Sequence, residues 1–180
     1  MKNNKVTYLD KNLSRINKAL LNSIPEKNYS EITKAIHYSV MNGGKRMRPQ
    51  LMLLMAEALK VDVDKKTIDL MAAAGELIHC YSLIHDDLPA MDDDDFRRGK
   101  LSCHKKFSEA TAILAGDAIQ PLSLEILTSI NDKNLSAESK CKIINIFAKA
   151  CGPKGMVEGQ NLDIKAENKK LNFDLQSAVT

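Results

Sequence analysis

The chain has 180 residues, 44% of them hydrophobic and 27% charged, with a formal net charge of +3 at pH 7. That composition excludes a disordered chain and allows one buried core, so a single domain over residues 1–180 is expected. The small net charge, and 4% aromatic content without Trp, leave neither a basic footprint nor stacking platforms, so nucleic acid is not an expected partner. Cys80, Cys103, Cys141 and Cys151 form no C-x-x-C pair and read as reduced, buried thiols. MKNNKVTYLDKN has no apolar segment of signal-peptide type, and no later run reaches the length of a membrane span; the cytoplasm is the expected compartment.

In chain order, Leu9 to Leu21 places Leu13, Ile16, Leu20 and Leu21 at helical spacing, and Tyr29 to Met41 does so with Ile32, Ala35, Ile36, Ser39 and Val40. Gly43 and Gly44 stop this second helix. Pro49 suits a first helical turn, followed by the good helix formers Gln50 to Leu59. Val61 to Lys66 is a short polar connection. Thr67 to His85 is apolar on nearly every face, which predicts a helix through the middle of the molecule, ended or kinked by Pro89. Ser108 is placed to cap a helix through Leu127, bent at Pro121, and Ala137 to Cys151 predicts another before Gly152 and Pro153. No window alternates with period two over a strand's length, and no repeat or linker is evident. The fold class is all-α with a central buried helix.

The chemistry concentrates in Ser82 to Arg98, SLIHDDLPAMDDDDFRR, where six carboxylates and two guanidiniums follow an apolar helix. Two like charges about 4 Å apart repel by roughly 4 kcal/mol near a protein surface, so aspartates held this closely want a cation between them. A solvated acidic loop is the ordinary fate of a charge run. Here Asp86 and Asp87 directly follow LIHCYSLIH, where unpaired charge is costly. An EF-hand is excluded, because its acids alternate around a Gly at the sixth position whereas these are contiguous. Oxygen ligands from two short segments, completed by water and phosphate, suit magnesium. A second constellation, GGKRMRP from Gly43 to Pro49, sets Lys45 and Arg48 three residues apart beside a helix start, the outline of a diphosphate cradle. His79 precedes Asp86 by seven residues, about 20° from the same line along an ideal helix, and is a candidate phosphate donor. Two anion sites beside a metal cluster in an apolar pocket fit a substrate with a greasy tail and a diphosphate head.

GGKRMRP, then a buried helix with His79, then YSLIHDDLPAMDDDDFRRG, in this order, closely resembles bacterial trans-prenyltransferases of the farnesyl diphosphate synthase type, through KGMVEGQNLDI near residue 164. The resemblance implies an antiparallel helical barrel around a central cavity, the isoprenoid synthase type, often dimeric, and a homodimer is expected. It further implies that Asp86 and Asp92 coordinate Mg2+ with Asp87 in support, and that Arg97 contacts the allylic diphosphate. Lys45, Arg48, His79 and Arg98 would hold isopentenyl diphosphate, and Gln160 would line the polar part of the cavity. The implied reaction is ionisation of dimethylallyl or geranyl diphosphate, attack by isopentenyl diphosphate and proton loss to the released diphosphate. No protein nucleophile is needed.

In this family a bulky side chain five positions before the first aspartate blocks the growing tail. Tyr81, followed by the small Ser82, occupies that place and favours a farnesyl-length product. Helix arithmetic sets Tyr81 about 140° around from Asp86, so this assignment rests on the resemblance alone. Family members continue beyond residue 180 with a second aspartate-rich motif, a Lys-Thr pair and closing helices; DLQSAVT carries no second acidic pair, so the barrel is expected to be incomplete at its C-terminus. Several accounts stay open: an inactive fragment of an active synthase, a non-catalytic subunit of a heteromeric prenyltransferase, a synthase of geranylgeranyl-length product, or an acidic metal-buffering module.

Overall fold

A computed structural model describes residues 7–166. MKNNKV at the N-terminus and DLQSAVT at the C-terminus, where a leader and a second acidic pair were sought, lie outside those residues. The chain forms two compact units, residues 1–136 and 137–180.

The first unit contains α1 (Tyr8–Ser23), α2 (Glu31–Val40), α3 (Met47–Ala58), α4 (Lys65–Asp86), a two-stranded hairpin of β1 (Phe96–Arg97) and β2 (Lys100–Leu101), α5 (Cys103–Lys106) and α6 (Glu109–Ser129). Side-chain caps start several of these helices. Thr7 and Asp10 form a reciprocal capping box on α1, Ser30 and Thr33 do so on α2, and Ser108 Oγ accepts from the Thr111 amide at the start of α6, as its sequence position predicted. The start of α4 is instead anchored by a residue from another loop. Asp132, between α6 and the second unit, accepts from the Asp64 amide and the Thr67 hydroxyl, each at 2.7 Å, and from the Asn134 amide at 2.9 Å. One carboxylate thereby anchors the residue before α4 and the Thr67 side chain of its first turn to the loop after α6.

α4 is the central element, packed on α1, α2, α3 and α6. Ala72, Ala73, Ala74 and Leu77 have relative exposures of 2% or less, and the alanines let α6 approach with Ala112, Ala115 and Ile119. Ile16 and Leu20 of α1 and Ile36 and Val40 of α2 fill the remaining faces, while Leu21 stays exposed. Burying each such Leu or Ile contributes about 1.5–3 kcal/mol.

Three expectations change. Only Cys80 and Cys103 are buried; Cys141 is exposed and Cys151 intermediate, because α7 buries none of its residues. All four thiols are free. α6 is long and apolar enough by composition to cross a membrane, which the sequence reading did not anticipate; its apolar residues include Ala112, Ala115, Ile119, Ile126 and Leu127, all buried in this unit. The hairpin, α5 and α8 are additional elements, each too short or too mixed in pattern to stand out in the sequence.

The second unit contains α7 (Ala137–Cys151), matching the predicted bounds, and α8 (Met156–Ala166), which packs on α7 and carries Gln160.

Candidate functional site

The site is built around the C-terminal half of α4. Before α3 the chain turns through Gly43 (φ 85°), Gly44 (φ 115°) and Arg46 (φ 50°), all left-handed, so consecutive side chains of GGKRMRP diverge. Arg46 turns inward. Its Nη1 donates to Glu76 Oε1 on α4 at 2.9 Å, Nη2 to the Val40 carbonyl at 2.6 Å and Nε to Asn17 Oδ1 at 3.1 Å. Lys45 and Arg48 are exposed and flank an open pocket whose walls also include His79, Arg98 and Glu76. The four basic residues expected to share one anion therefore line one pocket.

Arg98 reaches that pocket from the hairpin. It occupies the two-residue turn with Gly99, both at positive φ, the type I′ geometry that suits a right-twisted hairpin. A non-glycine residue at φ 98° is strained, and the strain is retained where Arg98 Nη1 donates to the Gly43 carbonyl. Gly44 makes this approach possible: a Cβ there would lie 2.6 Å from Arg98 Nη1. Burial lowers the His79 pKa below its ordinary value, Arg48 and Arg98 lower it further, and Glu76 opposes them. These surroundings disfavour the charged form of His79, whose ring N–H can still donate a hydrogen bond to an anion.

The acidic side differs in detail from the sequence reading. Asp87 is 2% exposed and accepts from Arg97 Nε at 2.9 Å and from Arg97 Nη2, while Nη2 also reaches Asp94 Oδ2 at 3.2 Å. Burial raises the Asp87 pKa and the Arg97 guanidinium opposes the rise. Asp86 is half-buried, and its pKa is pushed up to about 6, by burial first and then by the negative charge of Asp92. The Asp92 amide donates to the Asp86 carbonyl at 2.8 Å, folding LPAM into a turn that returns Asp92 to the end of α4. These are all-oxygen donors whose charges oppose one another, a set suited to a hard divalent cation.

A narrow cleft joins the two sides: Asp87, Arg97, His79 and Arg98 all line it, with Tyr38, Leu83 and Ile84 among its apolar walls. Helical alignment suggested Asp86 as the partner of His79. It is Asp87 that shares this cleft: as the C-cap of α4 it keeps helical backbone, with its amide on the Leu83 carbonyl, and Leu83 one turn earlier lines the same cleft.

Tyr81 is 5% exposed and its ring meets that of His85 edge-on at 5.8 Å; it lines neither the cleft nor the pocket. His85 Nε2 lies 3.1 Å from the Ile113 carbonyl, and Gly116 opens the space for its ring, since any Cβ there would overlap it. Ser82 is buried with its hydroxyl on the His79 carbonyl. Gln160, half-buried on α8, belongs to the second unit. Sequence reasoning missed Arg46 and Glu76 as a structural pair. The signal was Glu76 itself, a lone carboxylate within the apolar run MAAAGELIHC that needs a cation.

Residues 29–178 match the polyprenyl synthetase family. The chain is 46% identical over 162 residues to the farnesyl diphosphate synthase of Buchnera aphidicola, covering 88% of this chain and 56% of that one. It is 48% identical over 148 residues to that of Haemophilus influenzae, covering 82% and 49%. The crystal structure of a geranyltransferase from Legionella pneumophila superposes with a TM-score of 0.86 at 43% identity, over 94% of this chain and 60% of that one. The chain thus spans about half the length of the curated relatives it matches. An all-α fold, the family match over residues 29–178 and this extent of identity make the chain a member of the polyprenyl synthetase family.

Proposed function

We propose that this chain supplies the first metal-binding face and the anion cradle of a prenyltransferase that condenses isopentenyl diphosphate with dimethylallyl or geranyl diphosphate to farnesyl diphosphate. The observation that carries this reading is the single pocket lined by Lys45, Arg48, His79 and Arg98, joined through His79 and Arg98 to the cleft that holds Asp87 and Arg97.

In this reading Lys45, Arg48 and Arg98 neutralise the isopentenyl diphosphate, and His79 donates a hydrogen bond from its ring N–H. Arg97, now paired with Asp87 and Asp94, keeps guanidinium donors for the allylic diphosphate. Asp86 and Asp92 would hold Mg2+ with Asp87 in support, and the ion supplies charge neutralisation for the departing diphosphate. The allylic carbon–oxygen bond breaks and the double bond of isopentenyl diphosphate forms the new carbon–carbon bond. The proton released leaves with the free diphosphate. Apolar walls such as Leu83 and Ile84 would exclude water from the cation.

Tyr81 would limit the tail to farnesyl length, with Ser82 beside it, and Gln160 would line the polar end of the cavity. A homodimer, a cytoplasmic location and one domain spanning both units complete the proposal; the family match across 29–178 supports the last.

The test is incubation of the chain with isopentenyl diphosphate, geranyl diphosphate and Mg2+, with product sizing and parallel calorimetry for each diphosphate. A fifteen-carbon product, or isopentenyl diphosphate binding lost in Arg48→Ala and Arg98→Ala, supports the reading. Absence of binding by either diphosphate overturns it.

A further inference from the structure

The hairpin that delivers Arg97 and Arg98 is closed at its base by residues that the prenyltransfer reading does not use. Asp93 and Asp95 precede β1 and His104 follows β2 on α5. A carboxylate oxygen of each aspartate and a ring nitrogen of His104 all lie within 4.8 Å of one another. An acidic pair alone would say little, since both aspartates are exposed. The independent observation is His104, which is 6% exposed. Its Nδ1 is 3.1 Å from the Ser102 hydroxyl, yet its Nε2 is buried without any hydrogen-bond partner. A buried ring nitrogen left unsatisfied is costly and calls for a ligand.

We propose that Asp93, Asp95 and His104 form a site for a divalent first-row transition-metal ion that staples the base of the β1–β2 hairpin. In the proposed site Nδ1–H donates to the Ser102 hydroxyl 3.1 Å away, the tautomer that leaves an Nε2 lone pair for a metal and in which a second partner orients a histidine ligand. Lys105 Nζ already occupies Asp95 Oδ1 at 2.8 Å, which leaves Oδ2 for the ion. One imidazole and two carboxylates, with water completing the sphere, favour Zn2+ or Mn2+ over Mg2+, whose ligands are all oxygen. The site uses neither Asp86 nor Asp92 as a ligand. Its consequence is mechanical: the Ser102 amide donates to the Asp95 carbonyl at 2.9 Å at the same place, so the ion would reinforce the closure of the turn that aims both arginines.

The experiment is calorimetric titration of the full chain with Zn2+ alone, with imidazole nitrogen resonances followed by NMR. The wild type should bind one Zn2+ that Asp86→Asn retains, with the His104 Nε2 resonance shifting while Nδ1 stays protonated. Ser102→Ala should weaken this binding by about 10- to 100-fold, the range for loss of a partner that orients a metal-ligating histidine. His104→Gln should abolish it; because His104 is buried, the exposed Asp93→Asn serves as the variant whose folding is secure, and it should also lose the site. Exchange of the Ser102 amide should slow with Zn2+ in the wild type and not in Asp93→Asn. Absence of Zn2+ binding, Zn2+ affinity unchanged in Asp93→Asn, or an unmoved His104 resonance would overturn the proposal. None of these results depends on prenyltransfer.

Discussion

Arg46 and Glu76 form a 2.9 Å ion pair with side chains 2% and 5% exposed, joining the left-handed turn before α3 to the middle of α4. Breaking such a pair from one side leaves a buried charge without compensation, at a cost of about 3–5 kcal/mol. Glu76→Ala should therefore destabilise the first unit by about that amount in urea denaturation. Glu76→Leu combined with Arg46→Met should recover much of it, because both charges leave together. A loss below about 1 kcal/mol for Glu76→Ala would show that solvent reaches Arg46.

Gly44→Ala tests the other contact of the same turn. Its Cβ would stand 2.6 Å from Arg98 Nη1, and φ 115° suits glycine alone. The backbone cost is about 1–3 kcal/mol. Isopentenyl diphosphate affinity should fall with it by about tenfold, the equivalent of about 1.4 kcal/mol for a displaced Arg98. Full affinity by calorimetry would show that Arg98 binds from elsewhere.

Asp132 sets a pH dependence. The Thr67 hydroxyl, then the Asn134 and Asp64 amides, hold its pKa below the ordinary 3.8. A depressed carboxylate contributes stability that is complete above its unfolded pKa and lost as pH falls through the folded one. Asp132→Asn, which turns amide protons toward donors, should lower the Tm at pH 7, and the gap should close as pH falls below 3.8. An equal Tm gap at every pH would assign the effect to packing.

Asp86→Ala should abolish Mg2+-dependent binding of an allylic diphosphate analogue, since Asp86 and Asp92 press charge on one another across the turn. Unchanged affinity in calorimetry would remove the metal assignment. Under the proposed prenyltransfer, Tyr81→Ala in a complete chain should lengthen the product by at least one five-carbon unit, and chromatography of a product mixture identical to wild type would exclude Tyr81 as the stop.

The helices were legible where apolar spacing was sustained: α1, α2, α4 and α6 lie within a few residues of their predicted bounds, and Ser108 caps as its position suggested. α3 begins at Met47, earlier than Pro49, because Arg46 at φ 50° closes the preceding turn. A hairpin of two-residue strands and the four-residue α5 are shorter than any periodicity can reveal. At the site, residue types were legible and directions were not. GGKRMRP holds three cations, and only backbone dihedrals separate buried Arg46 from exposed Lys45 and Arg48. Likewise HDD does not say which aspartate faces the His79 cleft, since that depends on what packs around the end of α4.

Arg97 and Arg98 are neighbours in the chain, yet one meets Asp87 and Asp94 while the other meets the Gly43 carbonyl. The pairing of Phe96 with Leu101 and Arg97 with Lys100 leaves no slack between them. Residues 96–101 are consequently a segment of fixed count: it can absorb exchanges of side chain, whereas one inserted or deleted residue would shift the register and send each guanidinium to its neighbour's address.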